Sequence, residues 1–179
     1  WAEALGPTRF DGWNAAGEPV GKPYPTPLIV NLGTLEEQTD NTWRPLKEMG
    51  RRGPLIDDPR VREIGETKID LTSGGKLEPA TTSARARLGA PMSFVTLTET
   101  HLFTLQGGFR RVAGAVKRNV AGMDGRWLEL TNVWDPTEGS EAQVTADSKD
   151  ADIYVDTIEP KRVEDLDSDE ELYQELLRQ

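Results

Sequence analysis

The sequence predicts an α/β fold, a mostly parallel sheet with flanking helices and a β-hairpin near residues 67–81. Three observations carry that prediction. The apolar run Leu28-Ile29-Val30-Asn31-Leu32-Gly33 is followed at once by helix-compatible composition, which is how a strand–helix unit opens. Ser93-Phe94-Val95-Thr96-Leu97-Thr98, an amphipathic stretch over 109–121 and Trp127-Leu128-Glu129-Leu130-Thr131 have the order and spacing of a βαβ crossover. Ser73-Gly74-Gly75 lies between two alternating runs and supplies the positive-φ residues of a tight hairpin.

Taken in order, Gly6 to Pro27 is rich in Gly and Pro and reads as a long surface excursion without regular structure. Leu28–Gly33 is the first strand. Glu36 to Met49 is helical in composition except at Pro45, which is expected to break or restart the helix. Lys68-Ile69-Asp70-Leu71-Thr72 and the stretch after Lys76 form the hairpin. Ser93–Thr98 is a buried strand with Glu99-Thr100-His101 at its C-terminal end, where open α/β sheets bind their ligands.

Phe109, Val112, Ala113, Val116 and Val120 then recur at helical spacing, with Arg110, Arg111, Lys117 and Arg118 off that stripe, so 109–121 is an amphipathic basic helix. The following strand again ends in polar residues, Thr131-Asn132. Beyond Asp135 the chain turns acidic. Asp152 to Ile158 fits one more strand, and Ser168-Asp169-Glu170-Glu171 is a capping box opening a short helix with Leu172, Tyr173, Leu176 and Leu177.

The chain has 179 residues and a formal charge of −10, which excludes a uniformly basic nucleic-acid binder. The charge is unevenly spread: residues 1–128 carry 17 basic and 15 acidic side chains (17 − 15 = +2), and 129–179 carry 4 and 16 (4 − 16 = −12). Within 84–128 the balance is 7 to 2 (7 − 2 = +5), a local positive surface in an acidic protein. No apolar run reaches the roughly 18 residues of a membrane span. Cys is absent, so disulfides, thiolate zinc sites and cysteine nucleophiles are excluded, and an intracellular protein is expected. Trp1-Ala2-Glu3-Ala4-Leu5 lacks the basic-then-apolar pattern of a signal peptide and reads as the middle of something longer.

The chemical candidate is Glu99. A carboxylate at a rigid strand end is what nucleotide hydrolases need to orient or activate an attacking water; the same pattern also fits a solvated turn residue. Thr131 and Asn132, at the end of the next strand, are placed to sense a terminal phosphate, or else to form an Asx turn. Arg85 and Arg87, in Thr82-Ser83-Ala84-Arg85-Ala86-Arg87-Leu88-Gly89, offer a guanidinium for phosphoryl transfer in a neighbouring subunit, or an ordinary surface pair.

Two lookalikes of a phosphate cradle fail. Gly17-Glu18-Pro19-Val20-Gly21-Lys22-Pro23 has three residues between its glycines and Pro in place of Ser/Thr, and Ser73-Gly74-Gly75-Lys76 is a turn, so the chain contains no P-loop. His101, the lone histidine, has no second His or Cys for a metal and reads as a strand-end residue. Trp13, Trp43, Trp127 and Trp134 read as packing residues.

Several stretches, taken in order, resemble the large terminase subunit of tailed double-stranded DNA phages, the ATPase that packages viral DNA. They are Arg9-Phe10-Asp11-Gly12-Trp13; Glu36-Glu37-Gln38-Thr39-Asp40-Asn41-Thr42; Thr82-Ser83-Ala84-Arg85; Phe94 to Leu102; Arg118-Asn119 with Met123-Asp124-Gly125; and Leu130-Thr131-Asn132 with Gly139-Ser140.

The resemblance implies a sheet of P-loop NTPase type that lacks its Walker A strand and helix. The strand ending at Glu99 would be Walker B, with Glu99 the general base, and Leu130-Thr131-Asn132 would fall at the coupling motif. Arg87, or next Arg85, would be the finger acting across a subunit interface. It also implies ATP and Mg²⁺; double-stranded DNA, a portal protein, a small terminase subunit and further copies of the chain in a ring as partners; and a place in the host cytoplasm, transiently at the procapsid portal.

Residues 1–158 would be a partial ATPase domain, and 159–179 a linker and helix leading towards a nuclease domain. One departure concerns the metal: the family has an Asp immediately before the catalytic Glu, and this chain has Thr98 there, a weaker ligand for a divalent cation. A second reading is a degenerate, non-enzymatic acidic interaction protein derived from the same fold.

Overall fold

The computed structural model describes residues 1–81 and 89–158. The chain divides into two compact units, Trp1–Asp147 and Ser148–Gln179. Arg85 and Arg87 lie outside the described residues, as does the stretch around the capping box at Ser168.

In the first unit, α1 (Ala2–Leu5) is followed by β1 (Arg9–Trp13) and β2 (Pro19–Lys22), an antiparallel pair separate from the main sheet. This corrects the expectation of an irregular excursion. The Gly residues serve the hairpin rather than oppose it: Gly12 (φ 110°) sits at the bulge in the β1–β2 register, and Gly17 (φ 78°) turns the connecting loop. Asn14 closes that loop, its Oδ1 accepting from the backbone N–H groups of Ala16 and Glu18 at 2.9 Å each.

The main sheet contains β3 (Leu28–Gly33), β4 (Val61–Ile64), β5 (Ile69–Leu71), β6 (Lys76–Thr81), β7 (Phe94–Thr98) and β8 (Arg126–Leu130), in the order β4-β5-β6-β3-β7-β8. The ladders β6/β3, β3/β7 and β7/β8 are parallel, and β4/β5 and β5/β6 antiparallel. The predicted mixed fold, its hairpin and its βαβ crossover are all present.

Two helices cover opposite faces, which is why β3 and β7 are buried on both sides. On one face α3 (Phe109–Gly122) lays Val112, Ala113, Val116 and Val120 onto Val30, Leu32, Val95 and Leu97. On the other, α2 (Glu36–Arg52) packs Trp43 and Leu46 against Ile29, Ile69, Leu71 and Leu77, with Ala4 and Leu5 of α1.

The helix α2 runs straight through Pro45, contrary to expectation. Pro45 and Asn41, whose carbonyl loses its helical donor, are both exposed, so the missing bond falls on the solvent side of the helix. The buried neighbours are anchored from outside the helix: Trp43 Nε1 donates to the Glu66 carbonyl at 2.8 Å, and Lys47 Nζ to Glu66 Oε2 at 2.6 Å.

Glu66 accepts from Arg51 as well, at 2.6 Å. The Lys47 and then the Arg51 hydrogen bonds hold its carboxyl down to about 2, from an ordinary 4.5. A depressed folded-state value means the stabilisation is complete above about 4.5 and is lost as pH falls towards 2. Glu66→Gln is therefore expected to lower the urea midpoint at pH 6 but to match the parent protein near pH 2. A gap that persisted at pH 2 would show that the pair does not carry the effect.

After β8 the chain forms α4 (Glu141–Ala146), capped by Ser140, whose side chain accepts from the Gln143 N–H. In the second unit the described residues 148–158 contain local turns and no strand. The strand expected over Asp152–Ile158 is thus not formed. Its Tyr154 and Ile158 side chains are almost fully exposed, and among the described residues no neighbouring strand completes a ladder.

Candidate functional site

The parallel strands β7 and β8 end side by side, with Thr98 opposite Leu130. Immediately beyond, the Glu99 N–H donates to the Leu130 carbonyl at 2.7 Å, and Glu99 itself turns the chain in the left-handed region (φ 61°, ψ 48°). For a residue with a Cβ this conformation costs about 1–2 kcal/mol and is held by its surroundings. It leads into a single 3₁₀ turn, Thr100–Leu102, that points the chain across the end of β8.

Four polar side chains converge there. Asn132 Nδ2 donates to Glu99 Oε2 at 3.3 Å, and His101 Nδ1 stands 3.4 Å from the same oxygen. Thr131 Oγ1 accepts from the His101 backbone N–H at 3.0 Å, lies 3.2 Å from Nδ1 and donates to the Asn132 carbonyl at 3.1 Å. The Glu99 and His101 side chains keep part of their surface open, so the site is reachable from solvent. The structure therefore brings Glu99, Thr131 and Asn132 together, and adds His101, which was read as a plain strand-end residue. The contact was hidden in the sequence because residues 101 and 131 meet only through the crossover.

Thr98 faces the other way. It is buried, and its hydroxyl donates to Asn31 Oδ1 at 3.2 Å, while Asn31 Nδ2 donates to the Thr39 carbonyl at 3.0 Å. This buried ladder ties β7 to β3 and α2 behind Glu99. The signal for it was the one amide in an otherwise apolar run, Leu28–Gly33. Thr39 in turn lies under Gly33, where an added Cβ would come within 2.7 Å of Thr39 Oγ1.

Behind the site, Lys117 of α3 reaches a second polar cluster. Its Nζ pairs with Glu129 Oε1, with Glu141 Oε1 at 2.6 Å and with Thr145 Oγ1 at 3.0 Å, and lies 5.5 Å from the Trp127 ring centre. Arg110 donates to the Gly139 carbonyl at 3.1 Å and stands 3.8 Å from Glu141 Oε2. The Glu141 N–H donates to the Phe103 carbonyl at 3.0 Å, so the cluster holds the far end of the segment that starts at Glu99. Two of the four cations of the basic helix are thus committed inward, leaving Arg111 and Arg118 exposed.

Magnesium does not fit the residues at hand. The Thr98 hydroxyl is already engaged with Asn31, Glu99 is the one carboxylate in the site, and no group of three acidic, histidine or cysteine side chains able to hold a metal occurs among the described residues. No step is assigned to a metal on this chain.

Among the described residues, the edge of the sheet beside the site carries no further strand. β8 pairs with β7 on one side only, and Leu128 and Leu130, on the face opposite α3, are nearly half exposed. Among the described residues no helix is long and apolar enough to cross a membrane.

No family model matches the chain. It is 24% identical over 181 residues to the Gene 13 protein of Mycobacterium phage L5, covering 88% of this chain and 29% of that protein. The Gene 13 protein of Mycobacterium phage D29 is 27% identical over 104 residues, covering 55% of this chain and 16% of that protein. The chain thus spans less than a third of the length of the curated relatives it matches. Among solved structures, the large terminase ATPase domain of Thermus phage P74-26, in a mutant form, aligns with a TM-score of 0.48 and 14% identity, over 60% of this chain and 48% of that one.

Proposed function

We propose that this chain is the hydrolysis half of a phage DNA-packaging ATPase, in which ATP turnover drives double-stranded DNA into a procapsid. The observation that carries the reading is the meeting of Glu99 with Asn132 at the C-terminal ends of two adjacent parallel strands. The ordered resemblance of the surrounding stretches to large terminases, and the phage origin of both curated relatives, support it.

In this reading Glu99 takes the proton from the water that attacks the terminal phosphate, and Asn132 donates from its amide to the same locus. Loss of the phosphate is then felt at Asn132 and, through Thr131, in the segment that follows Glu99. The phosphate-binding loop comes from another part of a longer polypeptide. The edge of β8, unpaired among the described residues, is a suitable place for its strand, because a parallel strand added there would bring its own C-terminal loop beside Asn132. Arg87 or Arg85 would act across a ring of subunits, with a portal protein and a small terminase subunit as further partners, in the host cytoplasm and at the procapsid portal.

Residues 1–179 alone are expected to show no ATP turnover above background, and the longer polypeptide turnover that rises on adding double-stranded DNA. A phosphate-release assay on both checks this. Robust turnover by 1–179, or none by the longer polypeptide, would overturn the reading. One observation favours the second reading, a non-enzymatic interaction module: the buried, neutral Thr98 beside Glu99. Absence of ATP binding by the longer polypeptide would support it.

A further inference from the structure

We infer that His101 is the positioning residue for the Glu99 carboxylate, acting as an Nδ1–H donor locked in one tautomer by Thr131. The assignment follows from counting donors and acceptors. The single proton of the Thr131 hydroxyl goes to the Asn132 carbonyl at 3.1 Å, so its lone pairs face the two His101 nitrogens, the backbone N–H at 3.0 Å and Nδ1 at 3.2 Å. The other neighbour of Nδ1 is a carboxylate oxygen, Glu99 Oε2 at 3.4 Å, an acceptor. With acceptors on both sides, Nδ1 carries the proton.

The one Nδ1 proton has Thr131 Oγ1 at 3.2 Å as its hydrogen-bond acceptor, and Glu99 Oε2 lies 3.4 Å from the same nitrogen. The carboxylate therefore takes its hydrogen bond from the Asn132 amide and has the electropositive N–H edge of the His101 ring beside it, the two coming from the two strand ends. That matters because Glu99 sits on a left-handed turn with no side-chain cap of its own, and its backbone alone does not fix where the carboxylate points. The backbone bond from His101 to Thr131 makes the ring an extension of β8, so movement of Thr131-Asn132 carries both groups with it. With the proton on Nδ1, Nε2 keeps its lone pair, as in a carboxylate–imidazole pair.

The role in turnover rests on the function proposed above; the pairing does not. Because the chain has a single histidine, its long-range ¹H–¹⁵N spectrum contains one imidazole, and residues 1–179 without nucleotide suffice. The expected spectrum shows the Nδ1–H tautomer, with a shift towards the Nε2–H form in both Glu99→Ala and Thr131→Val. An Nε2–H ring in the parent chain, or a ring unchanged in both variants, would overturn the pairing.

In the longer polypeptide, His101→Ala is expected to lower kcat roughly 10- to 100-fold, the usual cost of losing an orienting partner, with KM for ATP nearly unchanged. His101→Asn, whose amide donates from the position of Nδ1, should recover most of it. Unchanged kcat in His101→Ala, or an Asn variant no better than Ala, would overturn the positioning role. Failure of the proposed function would show separately, as absence of ATP turnover in the unsubstituted polypeptide.

Discussion

Glu99→Gln is expected to lower ATP turnover by the longer polypeptide by about 10²- to 10⁴-fold, the range a positioned general base contributes, while nucleotide binding stays essentially as it was. The substitution is chosen for what it preserves. Gln has the shape of Glu and can still accept from Asn132 through its amide oxygen, so the convergence at the ends of β7 and β8 survives. What it removes is the ability to take a proton from water.

Binding should be spared because, in the proposed role, Glu99 would be an acceptor facing an anionic substrate and its charge would do nothing to hold a phosphate. Smaller residues would mix two effects, since position 99 is left-handed and a change of side chain there alters the backbone cost as well. Phosphate-release kinetics together with equilibrium nucleotide binding separate the two. Turnover unchanged in Glu99→Gln would remove the general-base assignment, and a parallel loss of binding would place Glu99 in the nucleotide cradle instead.

Lys117→Met is expected to destabilise the first unit by about 3–5 kcal/mol, read as a shift of the urea midpoint at constant slope. Lys117 is the ammonium paired with two buried carboxylates, whose side chains are 9% (Glu129) and 7% (Glu141) exposed. Met keeps the length and packing of the lysine stem, so little apolar contact is lost. The cost is that Glu129 and Glu141 remain buried with no cation between them, and the distant Arg110 at 3.8 Å from Glu141 is a weak substitute.

Among the described residues Glu129 Oε2 has no hydrogen-bond partner, which leaves the carboxylate little reserve. Adding Glu129→Gln and Glu141→Gln to Lys117→Met should return most of the stability, because the desolvation penalty goes with the charges. A single variant within about 0.5 kcal/mol of the parent would mean that water or a shifted side chain neutralises the pair. The loss should also reach the site, since α4 and the Phe103 carbonyl depend on this cluster.

Much of the site's scaffold was legible from pattern alone. β3, β7, α3 and β8 are long apolar or amphipathic runs, where side-chain periodicity and backbone geometry agree. From β7 to β8 that periodicity already puts Glu99 and Asn132 at neighbouring strand ends. The misreadings occurred where local rules meet a tertiary exception. Gly and Pro over Gly6–Pro27 signal turns, and one turn with two short arms is a hairpin. Pro45 lies on the exposed face of a helix whose buried face is anchored from outside, so the helix continues through it. Asp152–Ile158 has strand composition, but a strand needs a partner.

The sequence by itself determined which residues line each face of the sheet, and that a carboxylate and an amide end adjacent strands, because periods of 2 and 3.6 residues are properties of the backbone. Only the tertiary structure decided how the polar groups share their hydrogen bonds. Thr98 turns inward to Asn31, His101 turns to Thr131 and Glu99, and Lys117 leaves the surface for two glutamates. The Thr98–Asn31, His101–Thr131 and Lys117–glutamate contacts join separate elements of the fold, and each polar group takes the partner that the packing of those elements brings within reach.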